Sequence, residues 1–324
     1  MHPQLHNWAI ILAGGEGVRL RTLTTDSSGR ATPKQYCSLL GGSTLVQDAI
    51  SRAQNIVGQD RLCAVVADSH EQWWCSALSP LRRRNILAQP RNRGTANGVL
   101  LAVLWILHQD PLAQLLFLPA DHFVEEEGRF CAAVRAALEE LAGATEDIVL
   151  VGVEPREPDC ELGYILCGNR AGRSRRVLRF VEKPSPMLAE QLVSQGALWN
   201  TFIFAVTATA LLSHFRGRMP RVVDQMRTTV ARASAMSTDA TALNDLYRSL
   251  PDMDFSREIL AAIPMSLRAV ASPNCGWSDL GTPQRVAEAL RRPGLANTDA
   301  YLQRPNAEGL VCLAATFRHL QAGI

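Results

Sequence analysis

Short apolar runs alternate with amphipathic stretches in strict order through the first half of the chain, and this rhythm constrains the fold more than any other feature. WAIILAG, LCAVVAD, NILAQP, LLFLPAD and DIVLVGVEP read as buried strands. Between them STLVQDAISRAQ, SHEQWWCSAL, TANGVLLAVLWILHQ and GRFCAAVRAALEELAG read as helices, the first capped by Ser43 or Thr44 after the Gly41-Gly42 turn. Strand and helix in alternation mean βαβ units around a mostly parallel sheet. After about residue 155 the rhythm changes. ELGYILCG and RRVLRFVEKP predict two strands joined by the turn NRAGRSR, an antiparallel excursion. A helix SPMLAEQLVSQG, a strand LWNTFIFAV, a mostly helical stretch from Ala208 to about Ala262, a strand near MSLRAVA and a helix TPQRVAEALRR complete the ordered part. The expectation is one elaborated α/β domain over 8–292, Rossmann-like, with a mixed, mostly parallel sheet flanked by helices. Residues 293–324 show no clear period and form a tail of unassigned role.

Composition narrows the function classes. A net charge of +2 on 324 residues gives no push towards nucleic acid or an acidic membrane. The eight cysteines form no Cys-x-x-Cys pair, which argues against a zinc site or a disulfide framework. MHPQLHNWAIILAGG lacks the basic region of a signal peptide. The longest apolar run, GVLLAVLWIL, is half of the about 20 residues a membrane span needs. The expectation is a soluble, cytoplasmic chain, with no nucleic-acid or membrane partner and with homo-oligomerisation left open.

The turn LAGGEGVRL follows the first strand, where open α/β sheets bind ligands. Its glycines let backbone N–H groups approach phosphate oxygens, and Arg19 adds a forked cation. It matches neither the dinucleotide fingerprint nor the P-loop, and alone it reads better as a tight strand-to-helix turn. TPKQY presents Lys34, a compact ammonium. QPRNRGTA opens a helix whose free N–H groups suit an anion or a base edge. FLPADH puts Asp121 just past an apolar strand, a place for a Mg²⁺-binding carboxylate. FVEKP, LWN and GWSDLG add Glu182, Lys183, Asn200 and Asp279.

In this order the motifs resemble those of the sugar-1-phosphate nucleotidyltransferases, most closely the mannose-1-phosphate guanylyltransferase branch, from about Trp8 to Arg292. The glutamine of PKQ and the phrase NRGTA look like the guanylyl branch. The resemblance implies the nucleotide-diphospho-sugar transferase fold, Mg²⁺ as cofactor, and a nucleoside triphosphate and a sugar 1-phosphate as substrates, GTP and mannose 1-phosphate in first place. It implies that Leu12, Ala13, Gly14, Gly15, Gly17 and Arg19 surround the nucleotide and its triphosphate, with Gln89, Gly94 and Thr95 by the base. Arg19, Lys34 and Asp121 would be catalytic, and Asp121 and Asp279 would hold the metal. Gly163, Glu182 and Asn200 would contact the sugar, and Lys183 its phosphate. A non-catalytic regulator on the same fold would keep the pocket but lack Lys34 or a metal carboxylate.

The lysines carry a further signal. The chain has 33 basic residues, of which only Lys34 and Lys183 are lysine. Both fall where the resemblance places a small cation against phosphate. Departures from the pattern are Thr22 in place of a proline, an Arg19–Lys34 loop about four residues longer than usual, and Asn97-Gly98 after NRGTA in place of Pro-Ala.

Overall fold

A computed structural model describes residues 6–26, 29–235, 240–292 and 311–316. The chain runs β1 (Asn7–Ala13), α1 (Arg21–Thr24), α2 (Leu45–Val57), β2 (Leu62–Ala67), α3 (Glu71–Ala77), β3 (Ile86–Gln89), α4 (Thr95–Gln109), β4 (Gln114–Pro119), α5 (Glu127–Glu140) and β5 (Ile148–Val153). It continues with β6 (Gly163–Ala171), β7 (Ser174–Glu182), α6 (Pro186–Ser194), β8 (Leu198–Thr207), α7 (Ala208–Arg218), α8 (Pro220–Ala235), α9 (Ala240–Ser249), α10 (Phe255–Glu258), β9 (Leu267–Ser272) and α11 (Pro283–Leu290). The N-terminus of α2 is fixed by Thr44, not Ser43: its hydroxyl accepts from the Gln47 N–H while the Gln47 side chain accepts from the Thr44 N–H, a reciprocal cap.

The nine strands form one sheet in the order β3-β2-β1-β4-β8-β5-β9-β7-β6. β3, β2, β1 and β4 are mutually parallel, as the alternation requires. β8 then enters antiparallel between β4 and β5, and the β6–β7 hairpin adds further antiparallel pairing. The antiparallel share is therefore larger than periodicity indicates, because an apolar run marks a buried strand and says nothing of its direction.

Period-two burial sorts side chains between two cores. Ile10, Leu115 and Phe117 face a layer containing α4, α7 and α8, while Ile11, Leu116 and Leu118 face α2, α3 and α5. α4 is enclosed nearly all round, with Ala96–Leu104 buried, which accounts for its unbroken apolar run. Among the described residues no helix is long and apolar enough to cross a membrane.

The topology fixes where a site can form. β1 lies between β2 and β4, so the connections leaving the C-terminal ends of β1 and β4 diverge and open a crevice. β8 runs the opposite way, so its beginning, not its end, reaches the same edge and places Asn200 opposite Gly152 at the end of β5. The Phe123–Ser278 bridge, with both N–H groups donating across at 2.9 Å, ties the loop after β4 to the segment after β9. That bridge sets Asp121 beside Asp279.

Candidate active site

Lys34 is the centre of the arrangement. Its side chain is only 6% exposed. Its ammonium lies 2.8 Å from Asp121 Oδ2 and donates to the Asp279 carbonyl at 2.5 Å and to the Leu280 carbonyl at 3.3 Å. Three acceptors converge on one small cation, which suits a tetrahedral ammonium with three donors and not a flat guanidinium. Gly17, left-handed at φ 62°, makes room, because a Cβ there would stand 3.1 Å from the Lys34 Cβ. Gln35, which the sequence offers as a branch marker, serves the structure directly. Its amide donates to the Ala13 carbonyl at 2.8 Å and to the Gly15 carbonyl at 2.9 Å, pinning the glycine turn.

The two carboxylates are held in different ways. Asp121 is the more open, with 35% of its side chain exposed. Desolvation pushes its carboxyl up, but Lys34 and His122 outweigh this and hold it below the usual carboxylate range. Asp279 is also held low: burial opposes ionisation, and Arg285, Lys34 and His122 more than offset it. Arg285 donates from Nη1 to both Asp279 oxygens at 2.6 and 2.7 Å, and from Nη2 to Asp159. Arg19 is exposed and pairs with Glu161 at 2.8 Å. The loop between β5 and β6 thus lends an acid to each of two cations, Glu161 to Arg19 and Asp159 to Arg285.

At this same end of β1, Leu12 and Ala13 finish the strand, and Gly14 lies against Gln89, whose Nε2 would stand 2.9 Å from a Cβ at Gly14. Gln89 is buried at the end of β3 and accepts from the Tyr247 hydroxyl at 3.1 Å. Gly94 precedes α4 at φ 78°, and a side chain there would overlap the Met253 carbonyl oxygen. Thr95 begins α4 and accepts from the Phe255 N–H at 2.8 Å. We expect Gly94→Ala to lower stability by about 3 kcal/mol, because strain at positive φ adds to the clash, and this is readable by urea unfolding.

Gly163 and Glu182 are paired across the β6–β7 hairpin, with the Glu182 carboxylate 2.7 Å from where a Gly163 Cβ would be. Burial and the nearby Asp254 push the Glu182 carboxyl up, against Lys183, Ser256 and Arg257. Asn200 is buried, and its Oδ1 accepts from the Phe202 N–H at 3.2 Å. Lys183 is exposed. Among the described residues three that are not glycine have positive φ: Lys183 (48°), Phe202 (57°) and Leu280 (47°). Each adjoins a residue of this crevice. Left-handed backbone at such residues persists where surrounding structure enforces it, and it clusters at ligand sites. At Phe202 the enforcing feature is a bulge, since Val151 pairs with Ile203 and the next residue, Gly152, with Asn200.

The sequence matches the nucleotidyl transferase family model over residues 8–292, nearly the whole chain. The chain belongs to the nucleotidyl transferase family. It is 30% identical over 297 residues to the xanthan biosynthesis protein XanB of Xanthomonas campestris pv. campestris, covering 89% of this chain and 60% of that one. To the mannose-1-phosphate guanylyltransferase of Escherichia coli it is 27% identical, covering 89% and 61%. A crystal structure described as mannose-1-phosphate geranyltransferase from Thermus thermophilus superposes with a TM-score of 0.75 at 28% identity, covering 89% of this chain and 80% of that one. The chain thus spans about 60% of the length of the curated relatives it matches.

In this member of the family two of the three sequence departures have local explanations, and nothing in the structure explains Thr22. In the Arg19–Lys34 loop Thr25 and Ala31 form an antiparallel bridge, and Arg30 lies over the Trp73 ring at 5.5 Å. Gly98 lets α4 approach the Gln89 amide, and Asn97 Nδ2 donates to the Arg93 and Pro251 carbonyls, tying the start of α4 to the Pro251–Phe255 segment. Glu127, in the first turn of α5, takes the buried Arg52 in a two-point ion pair. All eight cysteines are free. Sequence reading missed Tyr247, the Met253–Arg257 segment, Asp159, Glu161 and Arg285. Nothing local marks these residues, since they act through partners far away in the chain, Arg285 joining the distant Asp159 to the nearby Asp279.

His122 is buried, and burial pushes its pKa down to about 4 despite Asp121 and Asp279. Its Nδ1 lies 3.3 Å from the Trp277 indole nitrogen, a donor, so the neutral tautomer with hydrogen on Nε2 fits the contact. The unfolded chain binds this proton near pH 6.5 and the native one near 4, so protonation favours unfolding. We expect the metal-free protein to lose up to about 3 kcal/mol as pH falls through that window. His122→Gln should flatten the stability curve there, and an unchanged slope in unfolding titrations would assign the loss to other groups.

Proposed function

We propose that this chain transfers a nucleoside monophosphate from a nucleoside triphosphate to a sugar 1-phosphate, releasing pyrophosphate. GTP and mannose 1-phosphate are the first candidates, as the ordered motifs and the name of the Escherichia coli relative indicate. The observation that carries the reading is Lys34, buried against Asp121 and the backbone of Asp279 at the mouth of the glycine turn.

The chemistry asks little covalent work of the protein. A sugar-phosphate oxygen attacks the α-phosphorus in line and pyrophosphate leaves, so no Ser or Cys nucleophile is required. The backbone of Gly14, Gly15 and Gly17 and the Arg19 fork would embrace the triphosphate. Lys34, carried by a loop that Gln35 locks to the glycine turn, would neutralise charge as it builds at the reacting phosphates. Gln89, fixed by Tyr247, and the Gly94–Thr95 backbone would face the base. Glu182, Asn200 and the close Gly163 backbone would receive the sugar, and Lys183 its phosphate.

The carboxylates fit Mg²⁺. Asp121 and Asp279 are adjacent, both favour the charged form, and no cluster of three metal-ligating side chains exists among the described residues. A two-carboxylate site suits an ion that keeps waters and takes substrate phosphates as its other ligands. When bound, Mg²⁺ would neutralise phosphate charge and align donor with acceptor. Lys34, Arg285 and the Phe123–Ser278 bridge keep the two carboxylates ionised and in place.

The test is pyrophosphate release with Mg²⁺ across GTP, ATP, UTP, dTTP and CTP, each against mannose, glucose and galactose 1-phosphates. A dominant signal for GTP with mannose 1-phosphate is expected. A signal elsewhere in the grid would keep the reaction and reassign base or sugar. Silence throughout, in a folded protein that still binds nucleotide, would replace the enzyme with a sugar-nucleotide-binding regulator.

A further inference from the structure

The segment Val311–Thr316 lies outside the family match and has no part in the chemistry above. Its backbone pairs with the Ser38–Leu39 segment. The Ser38 N–H donates to the Val311 carbonyl at 3.0 Å, the Leu313 N–H to the Ser38 carbonyl at 2.9 Å, and the Ala314 N–H to the Leu39 carbonyl at 3.1 Å. Ser38 is thereby paired, in parallel register, with Cys312. The residue it engages lies four positions past Lys34, in a loop whose Cys37 N–H donates back to the Lys34 carbonyl at 3.0 Å.

The side chains continue the same connection. Val311 and the fully buried Leu313 belong to a cluster with Leu20 and Leu23 after the glycine turn, Cys37 and Leu39 after Lys34, Leu280 after Asp279, and Val286 and Ala289 of α11. This cluster is separate from the two cores on the faces of the sheet. Beside residues of α2 and α11, it gathers apolar side chains from the three loops that carry Arg19, Lys34 and Asp279. Leu280 is the most telling member. Its side chain is wholly buried there, its backbone is left-handed, and its carbonyl accepts from the Lys34 ammonium.

We infer that Val311–Thr316 is a brace for the catalytic loops, with Leu313 a positioning residue for Lys34 and Asp279. The inference rests on the transfer reaction proposed above. Loops held by few apolar contacts open at low cost. Here the buried Leu313 joins, in one small cluster, the loop that presents the lysine and the loop that supplies its acceptors. Removing it loosens both ends of the Lys34 anchorage while leaving the sheet and its two cores intact.

The experiment uses the full chain as wild type, Leu313→Asp, Leu313→Ala and Leu313→Met. It reads kcat and KM for both substrates, and amide hydrogen exchange at Ser38, Leu280 and, in the sheet, Ile10 and Leu116. In Leu313→Asp we expect kcat/KM to fall about 100-fold, mostly in kcat, as loop misplacement at a distance from the chemistry does. Exchange should quicken at Ser38 and Leu280 and stay unchanged at Ile10 and Leu116. Leu313→Ala should lie between, and Leu313→Met should restore wild-type values. If Leu313→Asp unfolds globally, Leu313→Ala is read by the same criteria. Wild-type exchange at Ser38 and Leu280 in the variants would overturn the brace, as would faster exchange with kcat unmoved. If the wild type transfers nothing while Ser38 and Leu280 respond as expected, the proposed reaction fails and the brace stands.

Discussion

Asp121→Asn should yield a folded protein in which nucleotidyl transfer has fallen about a thousandfold, the scale for losing a preorganised charge at the reacting centre. The substitution preserves shape. The backbone around it is tied by the Ala120 N–H to the Leu12 carbonyl at 3.1 Å and by the Phe123–Ser278 bridge, and neither bond involves the carboxylate. What changes is charge. Lys34 keeps its two carbonyl acceptors but loses the anion 2.8 Å away, and a stability loss of about 1–3 kcal/mol is expected from that partner alone. The metal role predicts more: Mg²⁺ should no longer saturate the activity at concentrations sufficient for wild type. Circular dichroism and thermal unfolding would establish the fold, and pyrophosphate release over a Mg²⁺ series would give the rate. Turnover near that of wild type would remove Asp121 from the chemistry.

Lys34→Arg should be nearly as damaging although it conserves charge. The pocket offers three oxygens around one nitrogen, and the side chain is closed over by Gly17 and buried. A guanidinium is wider and planar, and its five N–H groups point outward in a fork. It can enter only by displacing the glycine turn or the Asp279–Leu280 backbone. We expect kcat/KM to fall about 100-fold, since a misplacement of about 1 Å is enough for that. Overpacking should cost about 2 kcal/mol of stability. Full activity would mean that positive charge alone is needed there, and the scarcity of lysine elsewhere in the chain would lose its chemical explanation.

Much of this was legible in the sequence, for identifiable reasons. The strands from WAIILAG to DIVLVGVEP and the helices between them were readable because period-two and period-3.6 burial leave local marks, and the motifs then placed the crevice at the strand ends. Lys34 was legible through contrast with the arginines. β8 was legible as a strand but not in its direction, since orientation is decided by neighbours and not by the run itself. Arg285 and Gln35 were unreadable in their roles because Asp159, for the first, and the Ala13 and Gly15 carbonyls, for the second, are brought to them by the fold. The tail shows how little a segment of six residues needs to declare. Val311 and Leu313 are two apolar residues among many, and only the loop beneath them gives them meaning. Other residues of the 293–324 tail lie outside the described segments.

The Phe123–Ser278 bridge joins the fourth strand's loop to the ninth strand's, across more than a hundred residues of intervening chain. The bridge needs β9, which docks on β5 and not on the β1–β4 group, so it waits for a part of the chain made later and paired elsewhere. A nascent or refolding molecule should therefore acquire its glycine turn well before Asp279 reaches Asp121. In refolding experiments nucleotide binding should recover ahead of turnover. The lag between the two would time the arrival of β9 at the sheet, making catalysis itself the clock for the last step of folding.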